Sequence, residues 1–367
     1  MTKQPYDVLV VGARVAGSVL AALLGNAGYH VLLVDRSAFP SSTLSTHYFR
    51  GGRALTIFQR LGLLNDLLAL GAPPLVRQYV YLNGAEAPVI QPPQEPGDVG
   101  YCLSIRREAL DHFLLQRARS APTVEVREQT RVTELVWDNG RVSGARLQSP
   151  HGEDMVLARM VVGADGRHSF VADAVQAPVE ESEPPVRAMY YRYVRDFPGP
   201  TGPADGAEFS FIGDEIVYVF PSDAGVSCIA LSLNLDDYAT VRKAAEQQVD
   251  LRIARHVGVA RRYTAATQEG RLLGCGPETN YVRVPTGPGW ALVGDAGVHQ
   301  DPWSGQGIDC AAVHASMLTD ALHQWFSGEQ TETEALAAYH RRRNEHALDI
   351  YHRTVMLGRD LRQLRTG

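Results

Sequence analysis

The segment from Asp7 to Asp35 constrains this chain more than any other. Asp7 to Val11 is a short apolar run and reads as a strand. Gly12-Ala-Arg-Val-Ala-Gly17 follows, then an apolar helix from Ser18 to Asn26, with Gly28 beyond its end as a stop signal. His30 to Val34 reads as a second strand, closed by Asp35. Strand, glycine turn, helix, strand and terminal acid in this order make a dinucleotide-binding βαβ unit. In such a unit the helix N-terminus takes a pyrophosphate and the acid takes ribose hydroxyls. The usual turn is GxGxxG, and here Arg14 replaces the middle glycine. A side chain at that place must point away from the phosphates or bring its guanidinium into the anion site.

Two further glycine junctions follow apolar strands. Met160 to Val162 leads into Gly163-Ala-Asp-Gly-Arg-His-Ser169. Trp290 to Val293 leads into Gly294-Asp-Ala-Gly-Val-His-Gln-Asp-Pro-Trp-Ser-Gly-Gln-Gly307, and Ile308 to Phe326 reads as a helix. Gly305 and Gly307 flank Gln306, so the backbone there can approach a ligand closely. A glycine turn that opens a helix aims free N–H groups at whatever lies in front. Taken alone, these glycines also fit an ordinary strand–loop–helix connection.

Between the junctions the pattern changes. Ser41 to Gly52 is polar and irregular, Ala54 to Leu70 reads as an amphipathic helix, and Val76 to Ile90 as a hairpin turning at Asn83-Gly84. Gln91 to Gly100 is a Pro/Gly-rich loop. Arg106 to Ala118 is a helix whose first residues, Arg106 and Arg107, oppose its dipole and point to an anion nearby, unless they are simply solvated. Val124 to Val162 reads as a β-meander. From Arg187 to Pro285 the chain alternates and is rich in aromatics, as antiparallel strands do, with a helical stretch from Asp236 to Val257 that would cover one face. Two helices, Ile308–Phe326 and Glu332–Leu361, close the chain, and Arg341-Arg-Arg343 on the second reads as a solvated face.

With 367 residues, 45% of them hydrophobic, two domains are expected. The fold class is α/β: a Rossmann-like (βαβ) nucleotide-binding domain, an inserted antiparallel β-sheet domain, and C-terminal helices. The discontinuous nucleotide-binding domain takes residues 1–75, 98–170 and 275–330. The sheet domain takes 76–97 and 171–274, and a C-terminal helix takes 331–367. A net charge of −6 leaves no broad basic surface for nucleic acid. Cys102, Cys228, Cys275 and Cys310 are widely spaced, with no CxxC pair, so neither a metal site nor a disulfide framework is expected, which fits a reducing cytoplasm. No apolar run reaches the roughly 18 residues of a membrane span, and no cleavable signal is read before Tyr6. Oligomeric state is not legible.

The three junctions in this order resemble the FAD-dependent monooxygenases of the para-hydroxybenzoate hydroxylase-like superfamily, which also contains geranylgeranyl reductases and flavin-dependent halogenases. The resemblance covers nearly the whole chain, and the second and third motifs carry most of its specificity. It implies FAD, with NAD(P)H as electron donor. Gly12, Gly17 and Asp35, with Arg14, Ala16 and Arg36 beside them, would hold the ADP half. Arg107, in an Arg-x-x-Leu-Asp motif, would approach the ribityl–pyrophosphate region. Asp165 is linked to both FAD and NAD(P)H. Gly294 and Asp295 would contact the ribityl side, and Pro302, Gly305, Gln306 and Gly307 would lie against the isoalloxazine. The helix after Gly307 would then stabilise negative charge on the reduced ring. Many relatives carry His at the place of Val298, and here it lies one residue later, at His299.

Within the superfamily the expected activity is hydroxylation of a small aromatic or polyketide-like molecule through a flavin C4a-hydroperoxide, which needs a dry pocket. Tyr191, Phe211, Tyr218, Phe220 and Trp303 are the candidate substrate wall. His47 and His299 are candidate bases for a phenolic proton, and Arg50 a partner for a carboxylate or phenolate. Each of these also has a plain packing or loop-anchoring reading. Halogenases that use a pocket lysine are disfavoured, because no lysine lies between Lys3 and Lys243. A reductase acting on a prenyl or other C=C bond stays open, as does a non-catalytic flavin-binding protein.

Overall fold

The apolar runs that read as strands lie side by side in a computed structural model, which describes residues 5–45, 47–86, 89 and 97–365. Thr46, Ile90 and residues 91–96 of the expected loop lie outside the described residues. The first sheet runs in the order Thr286–Gly287, Trp290–Leu292, Gly152–Gly163, Tyr6–Val11, Val31–Val34, Val124–Arg127. Its centre is parallel: Val10 pairs with Val162 on one side and Leu33 on the other, and Val162 with Ala291. Val8, Leu9 and Val10 are fully buried, as strands covered on both faces must be. One face packs under the helices Val15–Asn26, Arg107–Arg119 and Gly307–Phe326. The other packs against a meander formed by Arg131–Asp138, Arg141–Ser149 and the first half of Gly152–Gly163.

The second sheet runs Thr267–Cys275, Arg187–Arg195, Ser227–Asn234, Glu215–Pro221, Gly206–Ile212, Arg77–Leu82, Ala85–Glu86. It is antiparallel except where Gly206–Ile212 pairs parallel to Arg77–Leu82. Period-two alternation gives it two different faces. Tyr190, Val217, Val219, Ile229 and Leu231 lie under the helices Ala245–Ile253 and Val257–Ala265. Met189, Tyr191, Tyr218, Phe220 and Ala230 lie on the other face, against Tyr48. A small third sheet joins Val179–Glu183, Asn280–Arg283 and Val298–His299. The fold is α/β, with a Rossmann-like βαβ unit, an antiparallel sheet set into it, and C-terminal helices. No described helix is long and apolar enough to cross a membrane.

Several local expectations are corrected. The first helix starts at Val15, three residues early. Val124–Arg127 joins the parallel sheet beside Val31–Val34, because the chain turns at Gln129 (φ +50°) before the meander begins. The helix expected over Ala54 to Leu70 is broken. A π-turn at Gly51–Leu55 runs into Thr56–Arg60, Gly62 turns the chain in the left-handed region (φ +73°), and Leu64–Ala69 follows. Arg341 and Arg342 are exposed, but Arg343 is buried on the inner face of Glu332–Arg359. It donates to the carbonyls of Arg283 at 2.6 Å and Gly297 at 3.4 Å and so braces the third glycine stretch from behind.

Gly17 shows why the βαβ turn needs its last glycine. A Cβ there would stand 1.8 Å from the Gly12 carbonyl oxygen, a backbone atom that cannot swing aside. Gly17→Ala is therefore expected to cost about 2–3 kcal/mol of stability, as overpacking does. Denaturant unfolding checks this, and an unchanged midpoint would contradict it.

Candidate functional site

Backbone hydrogen bonds set the three glycine turns side by side. Gly12 N–H donates to Val34 O and Ala164 N–H to Val11 O, both at 2.8 Å, and Val293 N–H to Gly163 O at 2.9 Å. All three turns leave the carboxyl ends of neighbouring parallel strands, where open α/β sheets bind ligands. Tyr281 ties two of them together, its hydroxyl lying 2.7 Å from Asp295 O and 2.9 Å from Arg167 O. A single cavity of about 710 Å³ runs along these turns and reaches the second sheet.

The first βαβ unit contributes Gly12, Arg14, Ala16, Asp35 and Arg36 to the cavity wall. Gly12 has φ +102°, and a Cβ there would meet the Ala164 carbonyl oxygen at 2.5 Å, so the first and second turns can touch only through glycine. Asp35 is held at its strand end, accepting Ala13 N–H and Ser37 N–H, each at 2.8 Å. The helix Val15–Asn26 has no side-chain cap and no acid in its first turn, so its first amides and its positive dipole end are open to an anion. Arg14 points away from that end. Its guanidinium donates to Asp111 at 2.6 Å and to the Ser41 and Ser42 carbonyls, each at 3.3 Å, pinning the following loop. Arg107 also lines the cavity and shares Asp111, at 3.0 and 3.1 Å. The arginine in the place of the middle glycine serves as a strut.

The second and third turns add Asp165, Gly294, Asp295, Pro302, Gly305 and Gly307. Asp165 accepts Ser169 Oγ–H at 2.6 Å and Val171 N–H at 3.2 Å, so it anchors its own turn, and burial raises its pKa. Gly305 is left-handed (φ +63°) and sets up the 20-residue helix Gly307–Phe326. A Cβ on Gly307 would meet nothing within 4 Å, so open space lies directly against this backbone. A flat ring fits there, facing a helix N-terminus that favours negative charge. The acid in that helix's first turn, Asp309, is neutralised by Arg50 at 2.8 Å. Two helix N-termini without side-chain caps, a fixed carboxylate at a strand end and a glycine-walled slot together suit FAD.

On the second-sheet side Met189, Tyr191 and Cys275 line the cavity, with Tyr48, His299 and Gln300 near them. Neither ring nitrogen of His299 has a hydrogen-bond partner, and Asp295 Oδ2 lies 3.5 Å from its Nδ1. His299 is buried, and its ring packs against Tyr281.

Other expected site residues sit elsewhere. Gly17 and Gln306 are not on the cavity wall: the one packs helix on strand, and the other accepts a hydrogen bond from Arg53. Of the expected aromatic wall only Tyr191 reaches the cavity. Phe220 stacks behind Tyr48 at 4.8 Å, Phe211 joins the same cluster, and Tyr218 donates to Trp303 O at 2.7 Å. Trp303 donates to Thr354 O at 2.9 Å and is seated over Gly358. Arg50 is engaged by Asp309 and by the carbonyls of Gly305 (2.8 Å) and Ser304 (3.1 Å), so it shapes a turn and is not free for an anion. Arg106 is likewise held, by Asp223. Met189 and Cys275 were missed, although period two places Met189 on the same face as Tyr191.

His47 does not line the cavity. It is buried in the left-handed region (φ +67°), stacked on Tyr193 and hydrogen-bonded to its hydroxyl through Nε2. Burial, with the guanidiniums of Arg107 and Arg106, lowers its pKa to about 3. So weak a base takes no phenolic proton near neutrality. The depressed pKa contributes stability that is full above the unfolded value of about 6.5 and lost as pH falls towards 3. His47→Gln is expected to flatten the pH dependence of unfolding by about 1.4 kcal/mol per pH unit between roughly pH 6 and 4. Equal slopes in urea titrations would contradict this.

Comparison with known proteins agrees with this geometry. A model of the FAD binding domain family matches residues 5–212. Digeranylgeranylglycerophospholipid reductase of Methanosarcina acetivorans is 27% identical over 351 residues, covering 93% of this chain and 81% of its own. Among solved structures, the myxobacterial chondrochloren halogenase CndH superposes with a TM-score of 0.84 at 22% identity, over 95% of this chain and 82% of its own. PqsL of Pseudomonas aeruginosa, described as a probable FAD-dependent monooxygenase, does so at 0.81 and 22%, over 97% of each chain. With its family model matched over more than half its length, the chain belongs to the FAD binding domain family and is an FAD-dependent oxidoreductase.

Proposed function

We propose that this oxidoreductase is an NAD(P)H-dependent monooxygenase that hydroxylates a small aromatic or polyketide-like molecule. The observation that carries the reading is the continuity of the cavity. The same space that touches Gly12, Asp35 and Gly307 also touches Met189, Tyr191 and Cys275 on the second sheet. We also propose the division in which residues 76–97 and 171–274 form the substrate side and 1–75, 98–170 and 275–330 the FAD side. A substrate on that sheet would meet the Met189 thioether, the Tyr191 phenol and the Cys275 thiol, with the Arg167 guanidinium beside the thiol.

When bound and reduced, FAD supplies the activation of oxygen. The chain's residues supply position, dryness and a proton acceptor. Asp35 would take ribose hydroxyls, the amides after Arg14 the pyrophosphate, and Asp295 the ribityl side. The amides opening Gly307–Phe326 would face the pyrimidine edge of the ring and stabilise its reduced, anionic form. Met189 and Tyr191 would hold the acceptor ring and exclude water. His299, on the cavity wall with unpaired ring nitrogens, would take the phenolic proton at Nδ1 or Nε2.

His299→Gln is expected to lower kcat for oxygen-coupled turnover by about 10²-fold or more, while leaving anaerobic flavin reduction by NAD(P)H unchanged. Equal loss in both half-reactions would contradict its role as a base. The proposal itself is tested by oxygen uptake coupled to NADPH or NADH oxidation, stimulated by a phenolic substrate. The similarity to the archaeal prenyl-lipid reductase favours a second reading, reduction of an isoprenoid C=C bond in the same site. Electrons that appear in a reduced alkene with no oxygen consumed would establish it.

A further inference from the structure

Beside the cavity wall, on the flank of Gly307–Phe326, lies a group of side chains that do not line the cavity. Cys310 and His314 stand one helical turn apart on that helix, and His346 faces them from Glu332–Arg359. One donor atom from each lies within 4.8 Å of the others, and His346 Nδ1 is 3.3 Å from His314 Nε2. The Gln300 amide reaches the same place: Nε2 is 3.5 Å from Cys310 Sγ, and Oε1 is buried with no hydrogen-bond partner. An amide flip costs little and would turn that unsatisfied oxygen towards the thiol and the rings.

We infer that Cys310, His314 and His346, with Gln300 Oε1 as a fourth donor, form a buried site for a thiophilic, tetrahedral metal ion of the Zn(II) kind. Such an ion sits about 2.3 Å from sulfur and 2.0–2.1 Å from imidazole nitrogen, which puts neighbouring donors roughly 3.5 Å apart. The imidazole pair already has that spacing, and the thiol sulfur lies within 4.8 Å of a nitrogen of each ring. Each neutral imidazole offers one lone pair, and a change of tautomer in one ring frees both facing nitrogens for a metal. The thiol is protonated before binding. The S–H bond breaks, the proton leaves to solvent, and an S–metal bond forms, with no change of oxidation state. His346 is half-buried and gives an entry path, whereas Cys310 and His314 are closed off. Cysteine spacing alone hides the site, because its ligands come from an i, i+4 pair and a second helix. The guanidiniums of Arg343 and Arg53 lie on its near side, but Glu180 and Gln306 engage them. The thiolate offsets one charge of the ion.

The test uses tag-free, flavin-loaded protein, stripped with a chelator and titrated with Zn(II), then with Co(II). One Zn(II) per chain should survive gel filtration. Co(II) should give tetrahedral d–d bands in the red, where oxidised flavin is transparent. Cys310→Ser and His346→Gln should each weaken Zn(II) binding about tenfold or more, with flavin content per chain unchanged. If Cys310→Ser does not fold, His346→Gln on the more open helix face decides. Wild-type protein that retains no stoichiometric metal, or variants that bind as tightly as wild type, would overturn the inference.

Discussion

Gly307→Leu is expected to give a folded, colourless protein. Gly307 is the first residue of a 20-residue helix, it needs no left-handed backbone, and a Cβ there meets no protein atom within 4 Å. Leucine is a good helix former, so the fold has no reason to object. Its side chain would instead occupy the cavity against which the isoalloxazine is proposed to lie. FAD affinity should fall by at least about 10²-fold, the price of displacing a well-packed ring of many atoms. Thermal unfolding of the flavin-free variant should match flavin-free wild type. A yellow, fully loaded Gly307→Leu protein would mean that the ring lies elsewhere.

Asp309→Ala should have the largest effect on stability. The carboxylate is fully buried. It accepts Arg50 N–H at 3.0 Å, the Arg50 guanidinium at 2.8 Å and Ala54 N–H at 3.4 Å. Its loss leaves two backbone amides without their acceptor and a guanidinium without its counter-charge, at a cost of about 3–5 kcal/mol. The damage should spread to function, because Arg50 also holds the Ser304 and Gly305 carbonyls that shape the slot. Asp309→Asn keeps the shape and one acceptor oxygen, so it should lose less stability and retain more FAD. Unfolding midpoints and flavin content of the two variants check this order. Equal stability of Asp309→Ala and wild type would refute the strut.

What the sequence showed and what it hid follow from distance along the chain. The βαβ unit, the three glycine turns and the alternating sheet were legible because each is written in local period and spacing. The partners of buried charges were not. Arg50 looked like a free anion binder, yet its acceptor lies 259 positions away. Arg14 could turn away from the phosphate loop or join its anion site, and only Asp111, 97 positions away, makes it a strut. Arg343 sits in a run of three arginines and only helix packing turns it inward. Tyr191, Tyr218 and Phe220 share a face of one sheet, and strand pattern says no more than that. Lateral strand order decides that Tyr191 meets the cavity while Phe220 is hidden behind Tyr48.

The most direct test of the proposed reaction supplies labelled oxygen gas to flavin-loaded enzyme with NAD(P)H and a panel of phenols and small polyketide-like rings, and follows the products by mass spectrometry. The expected result is a product carrying one labelled oxygen atom, formed in step with NAD(P)H oxidation and lost in Gly307→Leu. Reduction of an isoprenoid C=C bond with no label incorporated from any ring compound would contradict it.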